Sequence, residues 1–220
     1  ALDREAAERG TTVYLVDRRI EMLPSLLSGN LCSLRPNVER LAFSALIRMS
    51  NDGTVKAAEF GRSVIMSSAA LTYQQAQERI DSARKRTAAD SNAAVDNITD
   101  NLLGLANIAK KLRERRMAAG ALTLASPEVR FTISELTDSV TDAAVYEIRE
   151  TNKMVEEFML LANIVVAERI LKHFPHCALL RRHPKPSNEM FEPLIKAAAS
   201  AGYSIDASNS RLLNDSLASI

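Results

Sequence analysis

The sequence predicts an α+β fold in which helices pack against an antiparallel or mixed sheet. Two observations support this class. The strand-like segments occur in neighbouring pairs with short connections, which is typical of antiparallel strands. The helical patterns cluster in the later part of the 220-residue chain, and no internal repeat is visible.

The chain begins with a helix end that leads into a strand. Residues 3–10 have the pattern of the last turns of a helix, and Gly10 is a typical stop. Residues 11–16 are β-branched and aromatic, which favours a strand. Residues 22–34 are apolar but interrupted by Pro and Gly, so they are predicted to form a packed loop.

The next segments predict a hairpin and a helix. An Asn-Asp-Gly turn lies between the strand-like runs LAFSALIRMS and TVKAAEFGRSVIMS. Thr72 and Gln75 resemble a capping box that opens a helix through about Ile80. Residues 82–95 are small, polar and aperiodic, so they are predicted to be a surface insertion.

Helical patterns dominate the remainder. Apolar residues recur at near-helical spacing from 99 to 119, and Gly120 ends that run. A long helix is expected to begin at either Asp142 or Thr151 and to reach Lys172. The other predicted elements are a strand at 129–133, a short strand at 177–183, a helix at 188–201 stopped by Gly202, a short strand at 203–205 and a last helix from about Asn209.

Composition excludes several classes of protein. The apolar fraction of 46% and the charged fraction of 25% are ordinary for a globular protein, and the net charge is only +1. No apolar run approaches the ~18 residues of a membrane span, so no membrane partner is expected. The two cysteines, Cys32 and Cys177, are far apart, which argues against a disulfide framework and for a reducing compartment.

A polar stripe runs along the long helix TNKMVEEFMLLANIVVAERI. At 100° per residue, Asn152, Glu156, Met159 and Asn163 lie within about 60° of one another. Buried polar groups need partners, so the stripe indicates either a structural hydrogen-bond network or a face turned to a ligand channel.

Two basic clusters are candidates for phosphate contacts, KKLRERR and RRHPKP. A charged helix face is more often simply solvated, which applies to the first cluster. The spacing in HFPHC permits a metal-ligand pair, but Pro175 interrupts the helix that would align the histidines. The sequence shows no convincing carboxylate cluster for Mg²⁺, no glycine-rich phosphate loop and no GxSxG or HExxH motif.

Four ordered segments resemble a known family. LDREAAERGTTVYLVDRRIEMLPSLLSGNLCSL, SPEVRF, ETNKMVEEFMLLAN and CALLRRHPKP are similar to the central part of the RNB catalytic domain of bacterial RNase II and RNase R. ALTLASPEVRF and MVEEFMLLANI resemble in particular the catalytic exoribonuclease subunits of the eukaryotic RNA exosome. The resemblance spans nearly the whole chain except the 82–95 insertion.

The resemblance implies a processive 3′-to-5′ exoribonuclease that degrades single-stranded RNA to nucleoside monophosphates. Family members bind Mg²⁺ through aspartates in a run similar to DPPGxxDxDD, which this sequence lacks. We therefore expect residues 1–220 to be one partial RNB domain, truncated at both ends and inactive alone. The implied partners are single-stranded RNA and the exosome core. The implied location is the nucleus, with the cytoplasm as a second one.

The resemblance also implies RNA-binding residues. Tyr14 matches an aromatic that stacks on bases, Phe131 an aromatic that clamps the 3′-terminal bases, and Tyr73 a tyrosine that grips the terminal nucleotide. Glu156 or Glu157 matches a carboxylate near that nucleotide, and the polar stripe favours Glu156. Glu156 or Asn163 is a candidate for contacting 2′-hydroxyls. The candidate backbone contacts are Arg181, Arg182 and His183.

Two alternatives remain open. One is an RNB-type protein that has lost catalysis and binds RNA as a regulator. The other is an unrelated interaction module that uses the helix at 97–120, for which no RNA affinity is expected.

Overall fold

The structure is a computed structural model that describes residues 1–85, 96–122, 129–133, 140–145, 147–182, 184 and 186–220. The chain divides into two compact units, which are described separately. The first comprises residues 1–48, 55–86 and 126–149, and the second comprises 49–54, 87–125 and 150–220.

The first unit carries most of the strands. Its elements are α1 (Leu2–Arg9), β1 (Val13–Tyr14), β2 (Arg19–Ile20), a π-helical turn (Leu27–Leu31), β3 (Glu39–Met49), β4 (Val55–Met66), α2 (Tyr73–Lys85), β5 (Val129–Ile133) and β6 (Val140–Val145). The tip of the β3–β4 hairpin, residues 49–54, counts with the second unit. The described helices of that unit are α3 (Asn97–Ala118), α4 (Glu150–His173), α5 (Asn188–Ser200) and α6 (Ser210–Ala218).

The predicted α+β class is confirmed, and the strands of the described residues pair in three two-stranded sheets. β1 and β2 are antiparallel, with Tyr14 opposite Arg19. β5 and β6 are antiparallel, with Phe131 opposite Ala143. β3 and β4 form the predicted hairpin, in which Gly53 adopts a φ of 82°. Only glycine accepts that angle without strain, and the Gly53 amide closes the turn on the Ser50 carbonyl at 2.8 Å.

One face of this hairpin is apolar and exposed. The hydroxyls of Ser44 and Ser63 lie 2.7 Å apart on the opposite face. Because side chains alternate along a strand, the neighbouring positions project from the other side. Those exposed side chains are Leu41, Phe43, Val64 and Met66.

Helices α3 and α4 pack against each other in the second unit. The buried residues of α3 are Thr99, Ala106 and Ala109, and those of α4 are Thr151, Met154, Glu157, Leu161 and Val165. Asp96 caps the start of helix α3, and its carboxylate accepts from the Ile98 amide at 3.2 Å. It ends before Gly120, which has a φ of 90° and lies so close to Arg211 that a Cβ there would be 3.0 Å from the Arg211 Cβ.

Several local predictions are confirmed. Gly10 and Gly202 have φ angles of 71° and 84° at the ends of α1 and α5, as expected for helix stops. Asn209 caps α6 by accepting from the Leu212 amide at 2.9 Å. Of the two predicted starts for the long helix, Thr151 is within one residue of the observed Glu150, whereas Asp142 lies in β6.

Other boundaries were wrong. The strand predicted at 11–16 is only Val13–Tyr14, and the predicted loop 22–34 contains the π-helical turn. Arg40 of β3 donates to Asn30 Oδ1 in that turn at 2.9 Å and to the Ser33 carbonyl just after it at 3.1 Å, which stabilises the compact backbone. Helix α2 continues to Lys85, so residues 82–85 of the expected insertion are helical. The rest of it, 86–95, lies outside the described residues.

Neither late strand forms in the described residues. Residues 177–182 are irregular after Pro175. Residues 203–205 are also irregular. Backbone amides at position 203 and just after the segment bind groups of helices α5 and α6 instead of a neighbouring strand. The Tyr203 amide donates to the Ala198 carbonyl at 2.9 Å, and the nearby Asp206 amide donates to the Ser216 hydroxyl at 3.1 Å.

Candidate nucleic-acid interface

Three aromatic candidates lie on the first unit with accessible rings. Tyr14 is 75% exposed on β1, where a turn with a 2.8 Å bond from the Leu15 amide to the Arg18 carbonyl joins the strand to β2. Phe131 is 46% exposed on β5. Buried aromatics dominate cores, whereas an exposed ring retains a face on which a base can stack.

Tyr73 is the first residue of α2 and is 43% exposed. The predicted capping box fixes its position. The Thr72 hydroxyl accepts from the Gln75 amide at 3.2 Å, and the Gln75 side chain accepts from the Thr72 amide at 2.9 Å. Since both bonds flank Tyr73, its backbone is held at the helix entrance.

The carboxylates of Glu156 and Glu157 have different environments on α4. Glu157 is 4% exposed and faces α3, where both of its oxygens accept from Arg116 Nε at 3.2 and 3.3 Å. Arg116 Nη2 also donates to Glu157 Oε1 at 2.5 Å. Hydrogen bonding to Glu157 is the main cause that raises the pKa of Arg116 above its ordinary value. Glu157 is therefore a buried, paired charge.

Glu156 is 49% exposed. Its Oε1 accepts from Arg116 Nη2 at 2.8 Å, and its Oε2 lies 3.8 Å from Arg113 Nη1. Met159 and Asn163 on the same stripe are also exposed. The buried carboxylate of this helix is thus Glu157, and three of the four stripe residues are exposed, whereas Asn152 is half-buried.

The first basic cluster is largely committed to ion pairs within the second unit. Arg113 and Arg116 contact the two glutamates, and Arg115 Nη2 lies 2.9 Å from Asp52 Oδ2. Asp52 also accepts from the hydroxyls of Ser50 and Thr54, and these bonds are the main cause that lowers its pKa. Lys110 and Lys111 are exposed.

The second basic cluster lies in the irregular segment after α4. Arg181 and Arg182 are exposed, so their charges are accessible to a phosphate. His183 lies outside the described residues. His173 Nδ1 is 2.9 Å from the Arg169 carbonyl within α4.

The described residues do not fit the Mg²⁺ site that the resemblance implies. Mg²⁺ takes oxygen ligands in near-octahedral geometry, so several carboxylates must converge. Across residues 1–85, 96–122 and the later described segments, no three Asp, Glu, His or Cys side chains come together in such an arrangement. Helices in the same described part are all too short or too polar to cross a membrane.

Comparison with known proteins identifies the family. The profile of the RNB domain matches residues 1–220. The chain belongs to the RNB domain family. Exosome complex exonuclease RRP44 homolog A of Arabidopsis thaliana is 50% identical over 216 residues, which is 98% of this chain and 22% of that protein. Exosome complex exonuclease RRP44 of Homo sapiens is 50% identical over 217 residues, 99% of this chain and 22% of that protein.

Solved structures support the same fold. The apo form of Mycoplasma genitalium RNase R has a TM-score of 0.83 at 22% identity, covering 99% of this chain and 34% of that one. Yeast Ssd1, a pseudonuclease, has a TM-score of 0.69 at 21% identity, covering 100% of this chain and 25% of that one. At these identities the likeness establishes the fold alone. This RNB chain spans about a fifth of the length of the curated relatives.

Sequence reasoning missed the role of the arginines on α3 in this RNB chain. Arg113 and Arg116 are three positions apart and therefore share one helix face. That spacing, together with two adjacent glutamates on an apolar helix, is the signal that could have predicted the pairing. Both arginines lie in the cluster KKLRERR, for which the sequence alone predicts a solvated face or a phosphate contact.

Proposed function

We propose that this chain is the RNA-holding part of a processive, Mg²⁺-dependent 3′-to-5′ exoribonuclease of the RNA exosome. In this proposal the enzyme degrades single-stranded RNA to nucleoside monophosphates, chiefly in the nucleus. The observation that carries it is the 50% identity, across nearly the whole chain, to proteins named exosome complex exonucleases. The chain is then one partial RNB domain of a longer protein that binds the exosome core.

The exposed side chains support an RNA-holding role. Stacking is worth roughly 1–3 kcal/mol per base and accepts every base, which suits an enzyme that degrades any sequence. We assign stacking to Tyr14 and Phe131 and terminal-nucleotide contact to Tyr73. Glu156 or Asn163 accepts from ribose hydroxyls, with Glu157 serving as the buried support of Glu156.

Backbone contacts complete the assignment. Arg181, Arg182 and His183 are proposed to bind phosphates. Because the described residues hold no ligand set for Mg²⁺, the chain alone is proposed to bind RNA without cutting it.

The runner-up is an RNB-type protein that binds RNA as an inactive regulator. The Ssd1 structure supports this second candidate, because a protein described as a pseudonuclease shares this fold. The two proposals predict the same RNA affinity for this chain but different activity for the longer protein that carries it.

One experiment tests the proposal. A 5′-labelled single-stranded RNA is titrated with the 220-residue chain to measure binding. The same RNA is incubated with the chain and Mg²⁺, and the products are resolved on a denaturing gel. Binding without shortening is expected, with an affinity that falls as chloride concentration rises. Absence of binding would refute the RNA-holding role, and a processive ladder would refute the inactivity of the chain.

The longer protein distinguishes the runner-up. Shortening of the 5′-labelled RNA to a short oligonucleotide, with nucleoside monophosphates released from its 3′ end, identifies the exonuclease. Binding without products identifies the regulator.

A further inference from the structure

Arg116 contacts two adjacent carboxylates that differ in exposure. Nε and Nη2 form a fork on buried Glu157, and Nη2 also donates to half-exposed Glu156 at 2.8 Å. Consecutive residues of a helix project 100° apart, so the two glutamates point in different directions. One guanidinium therefore links the buried side of α4 to its accessible stripe.

The buried contact fixes the orientation of the guanidinium. The group is planar, and its donors keep a fixed mutual geometry. With Glu157 4% exposed and bound by two nitrogens of the fork, the plane of Arg116 has little freedom. The direction in which Nη2 meets Glu156 is thereby set by a residue that is almost fully buried.

We infer that Arg116 is a positioning residue that, anchored by Glu157, holds the Glu156 carboxylate ready to accept a hydrogen bond from a ribose 2′-hydroxyl. This inference rests on the proposed function. A carboxylate has two oxygens and about four acceptor positions, so the bond to Arg116 leaves capacity for a ligand.

Charge supports the same role. A lone carboxylate near RNA would repel the phosphates. Here Arg113 and Arg116 face Glu156 and Glu157, so the cluster of four is neutral. Holding α3 against α4 would require only the contact to Glu157, whereas the contact to Glu156 orients a group on the accessible surface.

The test is the ratio of affinities for single-stranded RNA and DNA of matched sequence (uracil replaced by thymine), measured with the 220-residue chain. Arg116→Lys keeps a charge beside Glu157 but lacks the fork that holds two carboxylates. We expect it to lower the RNA-to-DNA ratio about tenfold, towards the value of Glu156→Gln. Arg115→Lys is the matched control, because Arg115 lies on the same helix but pairs with Asp52.

The outcomes separate the inference from the function on which it rests. A drop for Arg116→Lys, none for Arg115→Lys and no further drop when Arg116→Lys is added to Glu156→Gln supports it. An equal loss of affinity for RNA and DNA would mean that Arg116 only holds α3 against α4, and it would overturn the inference. An RNA-to-DNA affinity ratio that Glu156→Gln leaves unchanged also overturns the inference, because Glu156 then does not contact the 2′-hydroxyl. A wild-type chain that binds no RNA refutes the proposed function as well. If Arg116→Lys unfolds, Glu157→Gln provides the same comparison, with the same outcomes deciding it.

Discussion

The aromatic residues of the first unit and the arginines of α3 in the second unit are both residue types that recognise RNA, yet the protein treats them differently. Tyr14 has an exposed ring on a strand of two residues. Arg113 and Arg116 are instead held by the carboxylates of α4. A basic sequence cluster therefore overstates the charge available to a ligand, whereas an exposed ring that the core does not use remains available for stacking.

The largest expected effect separates the buried ion pair from the exposed one. Among the described residues, Arg116→Met leaves Glu157 with Arg113, 3.7 Å away, as its charged partner. Removing one member of a buried pair strands the other charge, so the free energy of unfolding should fall by about 3 kcal/mol in urea denaturation.

Arg115→Met is the control for that measurement. It also removes one arginine from α3, but its partner Asp52 is 61% exposed. Little change in the free energy of unfolding is expected, because exposed pairs contribute little. Equal losses in the two variants would remove the distinction between buried and exposed arginines.

The next effect concerns RNA affinity without stability. Tyr14→Ala should weaken single-stranded RNA binding by roughly 1–3 kcal/mol, the value of one stacked base. Because the ring is exposed, the free energy of unfolding should change by no more than about 0.5 kcal/mol. Fluorescence anisotropy and urea denaturation measure the two quantities.

Tyr14→Phe keeps the ring and removes only the hydroxyl, so it should retain the affinity of the wild type. If Tyr14→Ala binds RNA normally, the ring has no stacking role. If it unfolds easily, the ring belongs to the structure and the contrast with the arginines fails.

The smallest effect is a pH dependence at the hairpin tip. Hydrogen bonds from Ser50 and Thr54 lower the pKa of Asp52 in the folded chain. A lowered folded pKa contributes stability that is fully present above the unfolded pKa of about 4 and is lost as pH falls through the folded pKa. Asp52→Asn should thus be slightly less stable than wild type at pH 7.

That difference should shrink as pH falls below about 4, when thermal unfolding is followed over pH 2–7. Asp81→Asn, a substitution on α2 outside the hairpin, controls for the general effect of removing a carboxylate. A difference that grows on acidification would contradict the assignment of the lowered pKa to Asp52.

Local chemistry made much of the fold predictable. Thr72 and Gln75 form a capping box with partners three residues apart, and Gly10 or Gly120 stops a helix through its own backbone angle. Such signals act within one turn of chain. The predicted strand at 203–205 does not form. The Tyr203 amide binds a carbonyl of α5, and the following Asp206 amide binds the Ser216 hydroxyl of α6, partners that local sequence does not reveal.

The candidate site was predictable only through its family resemblance. Exposure of Tyr14 cannot be derived from TTVYLV, since an aromatic in a strand is usually buried. The pairing of Arg116 with Glu157 spans 41 positions and depends on how α3 packs on α4. Residue type and spacing suggested both helices but not which charges would meet.

The exposed apolar face of the β3–β4 hairpin has a practical consequence for solution work. Its apolar surface is exposed to water at Leu41, Phe43, Val64 and Met66. Sulfate and phosphate strengthen the association of such surface, and cooling weakens it. Affinity titrations of this chain should therefore be made in cold chloride buffers. Under those conditions, a loss of RNA binding at higher salt reflects ionic screening and not precipitation of the protein.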